Sequence, residues 1–144
     1  MYTKRLTLAA QTIEIDHEFD FEIVGITSQE KDYRLVWSLN LQLGWNFERD
    51  FDHTVFTKQG ESIHSRFTYT EDDGMIIFTL LSNKGSDGFL LPEFSRFDYI
   101  MIIDGAGQLR LEELLKEARK AKFVLAALSL ETMKMKSKYN LIID

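Results

Sequence analysis

Leu91-Pro92-Glu93-Phe94-Ser95-Arg96-Phe97-Asp98-Tyr99-Ile100-Met101-Ile102-Ile103-Asp104 decides how the second half of the chain is read. Pro92 is the only proline of the protein. Its fixed φ and missing N–H suit the first position of a helical turn. Glu93 then lies near the positive end of that turn. Arg96, three residues on, is within ion-pair reach if the turn is helical. From Phe97 to Ile103 the residues are aromatic and β-branched, which predicts a strand buried on both faces.

Working outward, Asp104-Gly105-Ala106-Gly107 reads as a turn into an amphipathic helix, Gln108 to Lys120. Its stripe is Leu111, Leu114, Leu115 and Ala118. Glu112 and Glu113 fall early and Arg119 and Lys120 late, matching the helix macrodipole. No Gly or Pro stops that stripe from running on through Leu125 and Leu128. A break near Lys122 and a strand Phe123–Leu130 is the preferred reading, with the longer helix left open. Lys134, Lys136 and Lys138 alternate with methionines like a protected sheet edge, and Leu141-Ile142-Ile143 reads as a closing strand.

Upstream, Ser82–Gly88 is a loop. Ser62–Thr70 and Met75–Leu81, joined by Glu71-Asp72-Asp73-Gly74, carry the strongest hairpin signal. Within it Ile63, Phe67 and Tyr69 alternate against His64, Arg66 and Thr68, which places His64 on a polar face. Thr54–Thr57 is a short strand. Tyr33 to Phe47 fits two templates. Leu35, Val36, Leu39 and Leu43 recur at helical spacing, while Tyr33, Leu35, Trp37, Leu39, Leu41, Leu43, Trp45 and Phe47 alternate as in a strand. A strand of 15 residues exceeds the usual five or six. The reading adopted is a helix Gln29–Leu43, ended by Gly44, and a strand near Trp45–Arg49. Phe19–Thr27 is a good strand; Thr3–Leu8 and Thr12–Asp16 are weaker ones.

A chain of 144 residues fits one domain, residues 1–144, with a real core. It has no cysteine, hence no disulfide framework or thiolate chemistry. No apolar run approaches the roughly 20 residues a bilayer requires, and no apolar stretch follows Met1–Thr7 as in a secretory signal. The expectation is a cytoplasmic protein without membrane contact. A net charge of −6 argues against nucleic acid. The charge is uneven, with a net of −9 over residues 1–109 and +3 over 110–144, so the C-terminal part presents a basic edge.

Candidate chemistry is thin. His17, His53 and His64 lack His-x-His or His-Glu-x-x-His spacing, so no metal site is expected. Asp98 and Asp104 share one face of an extended segment but stand about 20 Å apart at roughly 3.3 Å per residue. Glu93 and Asp98, with Arg96 near, are the remaining carboxylate pair for general acid–base work. Gly105-Ala106-Gly107 lacks the third glycine of a dinucleotide fingerprint, and no nucleophile motif is present, so no cofactor is expected. Trp37, Trp45 and Phe89 read as core more readily than as partner anchors.

At Leu91–Tyr99 the chain resembles the small Bacteroidetes family named for an Ile-Pro-Glu-x-x-x-Val-Asp-Tyr motif, the IPExxxVDY proteins. Pro92, Glu93, Asp98 and Tyr99 match; Leu91 stands for Ile and Phe97 for Val. Gly25-Ile26, Asp32-Tyr33-Arg34-Leu35 with Leu39-Asn40, Ser82-Asn83-Lys84, Lys136-Ser137-Lys138 and Asn140-Leu141-Ile142 are similar too. The resemblance implies a cytoplasmic single domain. The family has no assigned activity, so no functional residues carry over.

The expectation is a single α+β domain, a largely antiparallel sheet covered by the helices Gln29–Leu43 and Gln108–Lys120. The expected function is a non-enzymatic protein-binding or adaptor module, with a partner or a second copy at the Lys134, Lys136, Lys138 edge. The alternative is a small enzyme using Glu93, Arg96 and Asp98 on an anionic substrate.

Overall fold

The computed structural model describes residues 21–58, 60–71, 74–105, 111–131 and 137–142. Strand β1 spans Glu22–Thr27, helix α1 Asp32–Leu43, and strands β2, β3 and β4 span Glu48–Thr57, Gly60–Glu71 and Ile76–Ser82. A 3-10 turn at Pro92–Phe94 leads to β5, Tyr99–Asp104; then come α2, Leu111–Ala118, strand β6, Ala126–Leu130, and a second 3-10 turn, Lys138–Leu141. The strands form one six-stranded sheet in the order β2-β3-β4-β5-β1-β6, antiparallel throughout. The α+β class is as the sequence predicts. The expected strands Thr3–Leu8 and Thr12–Asp16 lie outside the described residues.

β5 is apolar on both parities because both faces of the sheet are covered. Met101 and Ile103 join the core under the helices, with Val24, Ile26, Leu35, Leu39, Phe78, Leu80 and Leu115. Ile100 and Ile102 face the other way, into a second core with Ile23, Leu81, Leu90, Leu91, Phe97 and Leu141. That second face is covered by no long helix among the described residues. The irregular segment between β4 and β5 folds across it, and the Lys138–Leu141 turn inserts Leu141. Of the closing strand expected at Leu141–Ile143, Leu141 instead ends this turn, held where Asn140 Nδ2 donates to Leu90 O at 2.9 Å, and Ile143 lies outside the described residues.

The conflict over Tyr33–Phe47 resolves as a helix. Its alternating residues are two helical stripes on opposite sides, since two positions turn a helix by about 200°. Leu35 and Leu39 are buried and Leu43 packs on the same core, while Tyr33, Trp37 and Leu41 face outward. Gly44 closes the helix at φ 68, its N–H donating to Asn40 O. The helix starts at Asp32, not at Gln29; Ser28 Oγ accepts from Glu30 N at 3.2 Å in a turn before it.

β2 is longer than the sequence suggests, ten residues, with an extra residue between Asp50 and His53. This bulge reverses the pleat. Phe47 points to the helix-covered core and Val55 to the second one, although both are odd-numbered. Phe123–Leu130 divides as the shorter-helix reading has it: α2 ends at Ala118 and β6 begins at Ala126.

Candidate functional site

The segment joining β4 to β5 is organised by Asn83, which is fully buried. Its Nδ2 donates to Phe94 O at 3.0 Å and Phe97 O at 2.8 Å, and its Oδ1 accepts from Leu91 N at 2.8 Å. One side chain thus closes both ends of the Pro92–Phe94 turn. Leu90, Leu91 and Phe97 are pressed into the second core as a result.

The three candidate catalytic residues leave this turn in different directions. The Glu93 carboxylate accepts the backbone N–H of Ser137 at 2.9 Å and its hydroxyl, tying the C-terminal turn to this segment. Arg96, expected to pair with Glu93, holds its guanidinium 4.9 Å from the centroid of the Phe97 ring. Asp98 Oδ2 accepts Ser28 N at 2.9 Å and fixes the approach to α1. A shallow open depression beside Asp98 is lined by Ser28, Glu30, Lys84 and Tyr99 but by neither Glu93 nor Arg96. The Tyr99 hydroxyl donates to Glu30 O at 2.7 Å. Burial, and then the carboxylates of Asp32, Asp98 and Glu30, push it up to about 12, so it stays a donor at neutral pH.

His53 and His64 are cross-strand partners and both are buried, so neither is an exposed loop residue. Sequence reasoning places His64 on a polar face. That face is the second side of the sheet, and Ser86 and Asp87 fold over it, Ser86 Oγ accepting Ile63 N and Ser62 Oγ accepting Asp87 N. His64 Nδ1 lies 2.8 Å from Ser82 O and donates to it, which leaves Nε2 as a buried lone pair with no partner among the described residues. His53 Nε2 lies 2.6 Å from Asn140 O. No three His, Asp or Glu side chains gather into a metal-binding group among the described residues, to which His17 does not belong.

Burial lowers the His64 pKa below its ordinary 6.5, the neighbouring His53 adds to this, and the Ser82 carbonyl opposes it. The unfolded chain therefore takes up this proton first as pH falls. Stability from neutral His64 is full above pH 6.5 and drains away as pH drops from there through the lower folded value. Urea melts at pH 7.5 and at stepwise lower pH are expected to show this loss, with a shallower dependence in His64→Asn. Identical pH slopes in the two proteins would assign the loss to other groups.

The outer side of α1 is the feature that sequence reasoning missed. Trp37, read as core, is 53% exposed, between Tyr33 at 60% and Leu41 at 72%. Four-residue spacing stacks the three along one face. The Trp37 ring meets that of Phe123 at 6.1 Å, and Leu125, also exposed, follows two residues later. Arg34 and Lys122 lie over the Phe123 ring at 4.8 and 5.5 Å. The signal was in the chain: the doubled alternation of Tyr33–Leu43 supplies one more apolar stripe than a helix lying on a sheet can bury. Lys134 and Lys136, the expected basic edge, lie outside the described residues, and at Lys138 only the backbone turn is described.

Among the described residues no helix is long and apolar enough to cross a membrane. Compared with family models, with curated proteins and with solved structures, the chain matches none.

Proposed function

We propose that this chain is a non-enzymatic protein-binding module whose contact surface is the outer stripe of α1. The carrying observation is the exposure of Trp37 between Tyr33 and Leu41. Large apolar and aromatic side chains grouped on a surface mark interaction sites, and Trp and Tyr are favoured anchors. Apolar residues repeating every fourth position suit a groove or a second amphipathic helix. Arg34 is ion-paired to Glu30 at 2.7 Å, which leaves Lys122 as the basic group at the patch, so the fitting partner presents apolar side chains with a carboxylate placed to meet Lys122. The basic residues Lys134, Lys136 and Lys138 add charge of the same sign late in the chain.

The divergence of Glu93, Arg96 and Asp98 also supports this reading over a small enzyme acting on an anionic substrate, which requires the three to converge on one open pocket. The absence of cysteine accords with a cytoplasmic setting. The resemblance to the IPExxxVDY proteins fits here as well. Pro92 starts the turn, Glu93 and Asp98 tie it to Ser137 and Ser28, and Tyr99 ties β5 to Glu30, jobs that suit a signature maintained for its fold.

The test is retention of proteins from the source cell's lysate by the tagged chain and by Trp37→Ala and Leu41→Glu variants. Leu41 is largely exposed, so Leu41→Glu is expected to melt like wild type, while Trp37→Ala loses the contact with Phe123 and is expected to melt slightly lower. A partner retained by wild type and reduced about tenfold or more by either variant is the expected result, in line with truncation of a hot-spot residue. The same proteins retained equally by all three would sink the proposal. A homodimer in light scattering that Trp37→Ala dissociates would make the partner a second copy.

A further inference from the structure

A second feature lies on the same side of the sheet, away from the outer stripe. A cavity of about 290 Å³ opens between the C-terminal end of α1, the start of α2 and the sheet. Its floor is Ile76, Phe78 and Ile103; Leu43 and Trp45 form one wall, and Leu111 and Leu114 the other. Trp45 is held rigidly there, stacked on Tyr69 at 4.9 Å and tilted against Phe78 at 4.2 Å. The volume falls just below the range of roughly 300–1,000 Å³ usual for small-molecule sites, which suits a small ligand.

The charge around this cavity has one sign. Glu22, Glu113 and Glu117 line it, and no Lys, Arg or His does so among the described residues. Glu117 is partly compensated, accepting from Gln42 Nε2 at 3.2 Å and from Lys120 Nζ at 3.0 Å, and these contacts hold its carboxyl below the usual range. Glu22 and Glu113 make no ion pair within the described part of the chain. Two uncompensated carboxylates on the rim of a cavity whose floor and walls are apolar repel an anion. They add nothing for a neutral hydrocarbon, but they favour a cation that brings an apolar body with it.

We propose that this cavity binds a small protonated amine, its hydrocarbon part on Phe78, Leu111 and Leu114 and its ammonium group between Glu22 and Glu113. The site is separate from the proposed protein-binding stripe, so either can fail alone.

Three probes of one shape separate the contributions: 2-phenylethylammonium, 2-phenylethanol and 3-phenylpropanoate, each titrated into the full chain and followed by two-dimensional NMR. The ammonium is expected to shift the Trp45 indole and the Leu111 and Leu114 methyl resonances. It should bind about three- to fivefold more tightly than the alcohol, as ion pairs at a solvent-exposed rim imply, while the carboxylate causes no shift. In Glu22→Gln/Glu113→Gln the ammonium should fall to the affinity of the alcohol, and Leu114→Trp, which fills the cavity, should abolish both. Equal binding of amine and alcohol to wild type would overturn the proposal, as would unchanged amine affinity in the double glutamine variant. Should Leu114→Trp not fold, the glutamine variant, altered only at the rim, decides the matter.

Discussion

Asn83→Ala is expected to cost about 3–5 kcal/mol, because it removes three buried hydrogen bonds and leaves groups orphaned. Leu91 N–H and Phe97 C=O have no other partner within the described residues, whereas Phe94 O still accepts Phe97 N at 3.0 Å. An unsatisfied buried amide group costs about 1–3 kcal/mol, so two of them dominate the loss. Asn83→Asp is a sharper control. Its Oδ1 keeps the bond from Leu91 N, but the other oxygen then faces two carbonyls, so the variant should be at least as unstable as alanine. Urea unfolding gives the loss, and hydrogen exchange at the Leu91 amide shows whether the segment lifts off before the sheet melts. A change below about 1 kcal/mol in Asn83→Ala would mean that water replaces the side chain and that Asn83 is not the organiser of this segment.

The second large effect is the contact of Gly25 with Phe97. Glycine inside a strand is normally a weakness, and alanine there is normally better. Here a Cβ on Gly25 would stand 2.7 Å from Cγ of the Phe97 ring, which lies flat over β1. Gly25→Ala is therefore expected to destabilise by about 1–3 kcal/mol, as overpacking does. Phe97→Ala, which empties the ring site, should cost about 3–5 kcal/mol. Truncating the ring makes room for the methyl group, so the double variant should be more stable than the sum of the singles by about 0.5–3 kcal/mol. A thermal or urea double-mutant cycle measures this coupling. Additive losses would show that the two residues act independently, contrary to the packing.

Much of the fold was legible locally. The doubly apolar run Tyr99–Ile103, the β3–β4 hairpin and the stripe of α2 each report on neighbours close in sequence or on one simple period. What was not legible depended on distant chain. Ser62 and His64 look solvent-facing by alternation, and nothing nearby reveals that residues 83–98 will fold across them. The bulge after Asp50 reverses the pleat of β2, so an uninterrupted period of two could not follow it to Val55. At the C-terminus Leu141 and Ile142 have strand-like character, but Asn140 spends its carbonyl on His53 and its amide on Leu90, which bends the chain into a turn.

The candidate site shows the same division. Pro92, Glu93, Asp98 and Tyr99 were recognisable as a unit. Their partners at Ser137, Ser28 and Glu30 were not, since each contact joins segments far apart in the chain. Trp37 was misread because an aromatic residue within a helical pattern is assigned to the core by default. The surplus stripe through Tyr33 and Leu41 was the correction available without a structure.

The strand order carries a kinetic consequence. β2 to β5 form a meander in which each strand meets the one just made, so this block can assemble as soon as its residues are present. β1 does not share that advantage. It lies between β5 and β6, with Ile23 paired to Ile102 on one side and Leu130 on the other. On a ribosome, β1 emerges ahead of both flanking strands and must wait for them, at a synthesis rate of about 5–20 residues per second. Until β5 is released, Ile23, Val24 and Ile26 have no strand edge to pair with, and closing so long a loop is slow. Docking of β1 on β5 is thus expected to be the slow step of folding, with β6, whose sheet partner is β1, joining after it; the interval before that docking is when the nascent chain is most exposed to aggregation.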